Sequence, residues 1–254
     1  MRAALVAALL LVGLAIPASA ACPSGQCVQH AEQFTAGSQN PTLVFTNNIA
    51  AGNCVAFYVL VSDATNSVTS ATADFVGGNA TLKNANTLFP TTNAQGTLAY
   101  FFNATGGGKT VTVHVNGTSN VTIFGHEISG CLTTDPFDVS TITNQTNIGT
   151  GTDAITTAGI TTTVNGDYLF CQSLDEAVHN IATGTGFVTA AVGGQAANEF
   201  QTQSVAGAGT VCTFTGDTAA QNYQTGILAL KPATVAPTRG CVIGGGLFFP
   251  GCPG

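Results

Sequence analysis

The sequence predicts an all-β protein, an antiparallel two-sheet β-sandwich or jelly roll built of two related halves. Three observations carry that expectation. Short runs rich in Val, Ile, Thr, Phe and Tyr recur at close spacing, bounded by Gly, Asn, Asp and Thr, which is the strand pattern. No convincing amphipathic helix separates them, which favours antiparallel pairing over a parallel sheet with helical crossovers. And one order of phrases is written twice, once from "AGNCVAFYVL" at 51–60 and again from "NGDYLFCQSL" at 165–174.

The first twenty residues read as a secretory signal. Arg2 supplies the positive start, residues 3–16 the apolar middle, and Ala18-Ser19-Ala20 the small-residue cleavage site. The apolar stretch is too short to anchor a chain across a bilayer, so no transmembrane segment is expected. A lipid-bearing Cys22 is disfavoured, because Ser19-Ala20-Ala21 is a poor lead-in for lipidation. The mature protein is expected to begin near Ala21 and to be secreted, extracellular or at the cell surface. Residues 21–41 are then a Cys-bounded N-terminal segment opening on "ACPSGQC", residues 42–233 the sandwich, and residues 234–254 an appendage.

Strands are expected over 43–46, 54–62, 68–75, 98–102, 110–115, 121–128, 155–164, 168–174, 187–192, 210–215 and 223–230. The run at 54–61, apolar on both sides, should be a central strand covered on both faces. In "TVTVHVNG" Val111, Val113 and Val115 point one way and Thr112, His114 and Asn116 the other, a half-buried strand of period two. The turn chemistry of residues 116–120 should join it to "VTIFGHEI" as a hairpin. Each half then reads as Gly-polar (Gly52-Asn53, Gly166-Asp167), central strand, insertion, Gly-rich lead, alternating strand, turn and closing strand. Both halves are expected to feed the same sandwich.

The span from about 42 to 233 resembles secreted β-sandwich modules of bacterial and phage surface proteins. The phrases that carry the resemblance are "ATADFVGGNATL", "GTLAYFFNATGGGKTVTVHVNG", "TTDPFDVS" and "NGDYLF" with "ILALKP". Those modules look like jelly rolls of the concanavalin A-like kind. The resemblance implies a fold and carries over no catalytic residue.

Only 7% of residues are charged and the net charge is −7. Lys83, Lys109, Lys231 and Arg239 are the sole cations after the signal, so no basic footprint for nucleic acid can form. With 44% apolar residues in regular runs, disorder is not implied. All eight cysteines follow the signal. An even number in an exported chain reads as disulfides, and without Cys-x-x-Cys spacing or a tight Cys/His cluster it suggests neither redox nor metal chemistry. The expected bridges are Cys22–Cys27 and Cys241–Cys252 as local loops. Cys54–Cys131 and Cys171–Cys212 are expected within the sandwich, by analogy of strand order between the halves.

Candidate chemistry is sparse. His114 and His126, on facing arms of the expected hairpin, would lie on the order of 10 Å apart, too far to share a metal. His126 and Glu127 are adjacent in a strand and face opposite sides, so they make no acid–base dyad. Asp175, Glu176 and His179 gather after a strand, and His30 stands alone; solvated positions are the simpler reading for the cluster. Asp135 and Asp138 in "TDPFD" read as a turn. No nucleophile elbow or phosphate-binding loop occurs. No catalytic, cofactor or metal site is expected, and the chain is not expected to be an enzyme. Asn-x-Ser/Thr sequons stand at Asn79, Asn103, Asn116, Asn120 and Asn144.

These readings favour a secreted structural or adhesive surface protein, a filament or coat subunit that associates with itself or with other surface proteins. The assembly candidates are Val242, Ile243, Leu247, Phe248 and Phe249, an uncharged apolar stretch between Cys241 and Cys252 that, if exposed, would form an apolar patch to be covered by a neighbouring subunit or by its own sandwich. The alternative is a non-catalytic carbohydrate-binding, lectin-like module. It is weakened by the absence of Trp and by four tyrosines (Tyr58, Tyr100, Tyr168, Tyr223) that all fall inside expected strands.

Overall fold

The computed structural model describes residues 19–22, 26–89, 93–148, 154–175, 181–193, 196–215, 221–233, 241–243 and 247–249. The first half contains β1 (Ser19–Ala21), β2 (Cys27–Ser38), β3 (Thr42–Val44), β4 (Cys54–Val61), β5 (Val68–Ala73), β6 (Val76–Asn79), β7 (Thr81–Leu88), β8 (Gln95–Phe101), β9 (Thr110–Val115) and β10 (Ser119–Ile128). The second contains β11 (Phe137–Ile148), β12 (Ala154–Thr156), β13 (Tyr168–Asp175), β14 (Ala182–Thr183), β15 (Val188–Gly193), β16 (Ala196–Thr202), β17 (Thr213–Thr215) and β18 (Gln221–Leu230). A hairpin of β19 (Cys241–Ile243) and β20 (Leu247–Phe249) follows. The fold is all-β and antiparallel, and no helix occurs among the described residues.

The sheets of the first half run β1-β2-β10-β4-β8-β7 and β3-β9-β5-β6; those of the second run β11-β18-β13-β16-β15 and β12-β17-β14. With β1 and β6 set aside, strands counted along either half fall in the order 1-8-3-6-5 in the larger sheet and 2-7-4 in the smaller. This is a jelly-roll order with the fifth strand in the larger sheet. The repeated phrases therefore mark a duplicated topology.

One expectation is corrected. The halves do not contribute strands to one sandwich; each closes its own, and the two larger sheets stack face to face. The central strands show why. In β4, Val55, Phe57 and Val59 pack into the core of the first half, while Ala56 and Tyr58 pack into a second core shared with Tyr168, Phe170 and Leu228 of the other half. In β13, Leu169 and Cys171 turn to the third core, inside the second half. A strand apolar on both faces needs a layer on each side, and side chains alternate to supply both. At about 1.5–3 kcal/mol for each fully buried large apolar side chain, all three cores contribute. Across the junction β4 meets β13, β8 meets β18 and β7 meets β11, the pattern of a pseudo-twofold axis passing between the two central strands.

A second correction concerns the expected hairpin. β9 and β10 do not pair. β9 lies between β3 and β5 in the smaller sheet, and β10 lies between β2 and β4 in the larger. The turn residues cross between sheets: Asn116 N–H donates to Ser67 O (3.1 Å), and Ser67 N–H donates to Asn116 Oδ1 (2.7 Å), tying the end of β9 to β5. The alternation within β9 holds, with Val111, Val113 and Val115 buried. Residues 21–41 are likewise not outside the sandwich, since β2 is a twelve-residue strand of the larger sheet. The strand expected over 155–164 shortens to β12 and an isolated bridge at Ile160.

Disulfides join Cys22 to Cys27, Cys54 to Cys131 and Cys171 to Cys212. Cys252 lies outside the described residues. Cys131 sits on the connection between halves and ties it to the first residue of β4 across 77 positions. By the chain-entropy account, the Cys54→Ala/Cys131→Ala variant should lose about 4 kcal/mol, and the Cys22→Ala/Cys27→Ala variant clearly less. Urea denaturation of both variants checks this; equal losses would mean that loop length is not what these bridges act through.

Candidate functional site

The polar residue of each Gly-polar phrase has a defined task. Gly52 and Gly166 both adopt positive φ, 82° and 87°, which glycine reaches without strain. Asn53 then donates from Nδ2 to Glu127 Oε1 (2.7 Å). The buried Glu127 carboxylate also accepts from Ala50 N–H (2.8 Å) and from Gln29 Nε2 (2.6 Å). Glu127 thus holds the loop before β4 against β2. Its neighbour His126 faces the other way, as strand geometry requires.

The corresponding site in the second half is built from carboxyls. Asp167 is fully buried and neither of its oxygens receives a hydrogen bond in the structure. Burial, then the adjoining Asp138 carboxylate, raises its pKa to about 7, so that as a carboxylic acid it can itself donate to Asp138. Burial alone would raise Asp138, but hydrogen bonds from Thr163, together with Asp167 and Lys231 (3.5 Å), hold it below the ordinary value. Asp135 has φ 85° and accepts from Tyr100 Oη (2.7 Å), a bond between the halves. "TDPFD" is therefore a turn in which Asp135 bonds across the junction while Asp138 is held within the second half by Thr163 and Lys231.

The junction buries a second polar group. His126 Nδ1 lies 2.7 Å from Tyr168 Oη, and the imidazole stands edge-on to Phe170, with ring centroids 4.9 Å apart. Its Nε2 is buried, with Asn198 as its polar neighbour. Burial, and then the neighbouring His30, lowers its pKa to about 3. His126 is a neutral packing residue. His30 is also lowered by burial. His114 lies in the other sheet, between Asn40 Oδ1 (2.7 Å) and Thr72 Oγ1 (3.2 Å). No group of three or more His, Cys, Asp and Glu side chains able to hold a metal occurs among the described residues. Glu176 and His179 lie outside them.

Glu199 is a second strongly perturbed carboxyl. It is fully buried on β16, one oxygen accepts from Gly184 N–H (2.9 Å), and the other has no partner. Burial raises its pKa to about 8, against the lowering effect of the Gly184 and Thr213 amides.

A cleft of about 360 Å³ opens at one end of the first sandwich, between β6 and the segment that follows β8. Gly77 and Asn79 of β6 line it, together with Tyr100 of β8 and Phe102, Asn103 and Thr105 from the segment that follows. The sequons sort themselves around it. Asn116 and Asn120 each accept a backbone N–H, and Asn144 both donates to Leu88 O and accepts from Gln224. Asn79 and Asn103 are exposed at the cleft, and their side-chain amides make no hydrogen bond with the described residues. Sequence reasoning singled out these two asparagines only as sequons; they come together because β6 and the end of β8 are neighbours in space.

All four tyrosines are buried, as their placement inside strands predicts. Of the assembly candidates, Val242 and Ile243 lie in β19, and Leu247, Phe248 and Phe249 in β20, two strands that pair as a hairpin. No helix among the described residues is long and apolar enough to cross a membrane. No family model matches the chain, and no curated protein sequence matches it significantly.

Proposed function

We propose that this chain is an exported structural or adhesive surface protein that assembles through its sheet edges. Three disulfides are compatible with an extracellular protein. The observation that carries the reading is a pair of long edges. β2 and β11 are the equivalent first strands of the two jelly rolls, each twelve residues long, and each borders its larger sheet. They stand on opposite sides of the stack, because β11 lies under β7, the far edge from β2.

An unpaired edge of that length offers a row of backbone donors and acceptors to another chain. Other edges are blunted. β3, β12 and β14 have three residues or fewer, β6 carries two glycines, β7 is broken by a register shift with Asn84 and Asn86 at positive φ, and β15 has six residues with a register shift between Thr189 and Ala191. Among the described residues only β1 lies outside β2, and its residues span the expected signal cleavage site. Cleavage after Ala20 would strip most of that cover.

The test is electron microscopy and light scattering of protein beginning at Ala21. Ordered assemblies are expected. Phe34→Lys, at an exposed position of β2 (41%), should leave stability within about 0.5 kcal/mol and reduce assembly by adding charge to the edge. Truncation after Ala233 asks what the β19–β20 hairpin adds. A folded monomer would assign the hairpin to the contact; unchanged assemblies would leave the edges alone responsible. Protein that stays monomeric with its edges intact would sink the reading. The second reading, a lectin-like module, is favoured by the cleft between β6 and β8.

A further inference from the structure

We infer that the cleft between β6 and the end of β8 is a binding site for a neutral saccharide, with Asn79 and Asn103 as its polar contacts. This deepens the lectin-like reading and is independent of assembly. The volume, about 360 Å³, suits a small ligand or the end of a longer chain. Charged groups on neighbouring segments are engaged elsewhere: Lys83 lies over the Phe137 ring, Asp135 accepts from Tyr100 and from Phe137 N–H, and Asp74 accepts from Thr110 N–H. Among the described residues no carboxylate, ammonium, guanidinium or imidazole lines the cleft, so none of them would balance a charged ligand's desolvation.

The polar groups match hydroxyls. A carboxamide offers two donors and an acceptor, and two of them across a cleft can each bind a sugar's neighbouring hydroxyls. Asn103 is held at φ 51°, a conformation uncommon for a residue with a side chain, tolerated by Asn and concentrated at functional positions. The half-buried Phe102 lines the cleft next to Asn103, its ring tilted on Tyr100 with centroids 6.2 Å apart. It supplies the apolar area that a sugar's C–H face covers. Gly77 keeps the mouth open: a Cβ built there meets nothing within 4 Å.

The experiment is a glycan array carrying neutral and acidic oligosaccharides, followed by calorimetry with the best neutral binder. Wild-type protein is expected to select neutral glycans. Asn79→Ala and Asn103→Gly, the latter chosen to suit positive φ, should each weaken binding about tenfold, as loss of one or two good hydrogen bonds would. Gly77→Tyr should block binding while leaving the melting temperature unchanged, since its side chain enters open space. Asn116→Ala, away from the cleft, should bind as wild type does. No binding by folded wild-type protein, a preference for acidic glycans, or equal binding by the cleft variants would each overturn the inference. Protein that forms assemblies yet ignores the array would end this proposal and leave the structural reading standing.

Discussion

Stability is expected to fall as the pH is raised from about 5 to 9, and Glu199→Gln is expected to remove a substantial part of that fall. In the unfolded chain Glu199 releases its proton near 4.5, whereas burial holds the folded-state pKa at about 8. A raised folded pKa gives stability that is complete below the unfolded value and is lost as the pH rises through the folded one. The shift corresponds to about 5 kcal/mol at most. Asp167 and Glu32, both raised to about 7, act in the same direction and window. His126 and His30 act at the acid end. Their folded pKa values are depressed, so their contribution is lost as the pH falls below 6.5, for His126 down to about 3. The optimum should lie at roughly pH 4–6.

Gln at position 199 keeps an acceptor for Gly184 N–H and carries no charge at any pH. At pH 5 the variant should resemble wild type. At pH 9 it should be more stable by several kcal/mol, read from urea denaturation midpoints. Identical pH dependence in both proteins would show that Glu199 is not the group that ionises on the alkaline side.

What could be read in the sequence follows from which residues carry their own explanation. β4 and β13 were legible because Val55 to Val61 and Tyr168 to Leu174 are apolar beyond what one face needs. β2, β11 and β16 were not. Gln29, Thr143 and Gln145 use their side chains to bind backbone of neighbouring loops, and Asn198 and Glu199 are buried polar residues of β16, so no apolar alternation marks these strands. The β9–β10 connection misled for a different reason. Asn116-Gly117 has hairpin chemistry, but the same residues can carry a chain between sheets, and only the partners of β10 decide which. The duplication was visible as phrase order, yet the sequence names no partner for Ala56 and Tyr58. The cleft was hidden because Asn79 and Asn103 become neighbours only through the fold.

The stacking of the two sandwiches depends on a slot that only glycine can leave, and Gly96→Val should therefore cost more than 4 kcal/mol, among the most severe single changes available. Gly96 lies on β8 opposite Leu60 and Thr87. A Cβ built there runs into the Tyr58 hydroxyl and Gln224 Oε1, two groups hydrogen-bonded to each other across the junction, with Tyr58 donating. Gln224 is pinned in turn, its Nε2 donating to Thr87 O (3.1 Å) and Asn144 Oδ1 (2.9 Å). Valine cannot be accommodated by a rotamer change at one flexible side chain, because both colliding groups are fully buried. Overpacking costs about 1–3 kcal/mol, and each buried group left unpaired costs about 1–3 kcal/mol more. Removing only the hydroxyl separates these effects. Tyr58→Phe should cost about 1–2 kcal/mol by leaving Gln224 Oε1 without its donor. In the Gly96→Ala/Tyr58→Phe double variant the hydroxyl that the new Cβ strikes is gone, so its loss should be smaller than the sum of the single losses. Strict additivity in that cycle, or a Gly96→Val protein within 1 kcal/mol of wild type, would mean that the two larger sheets are not held at the close approach the structure describes.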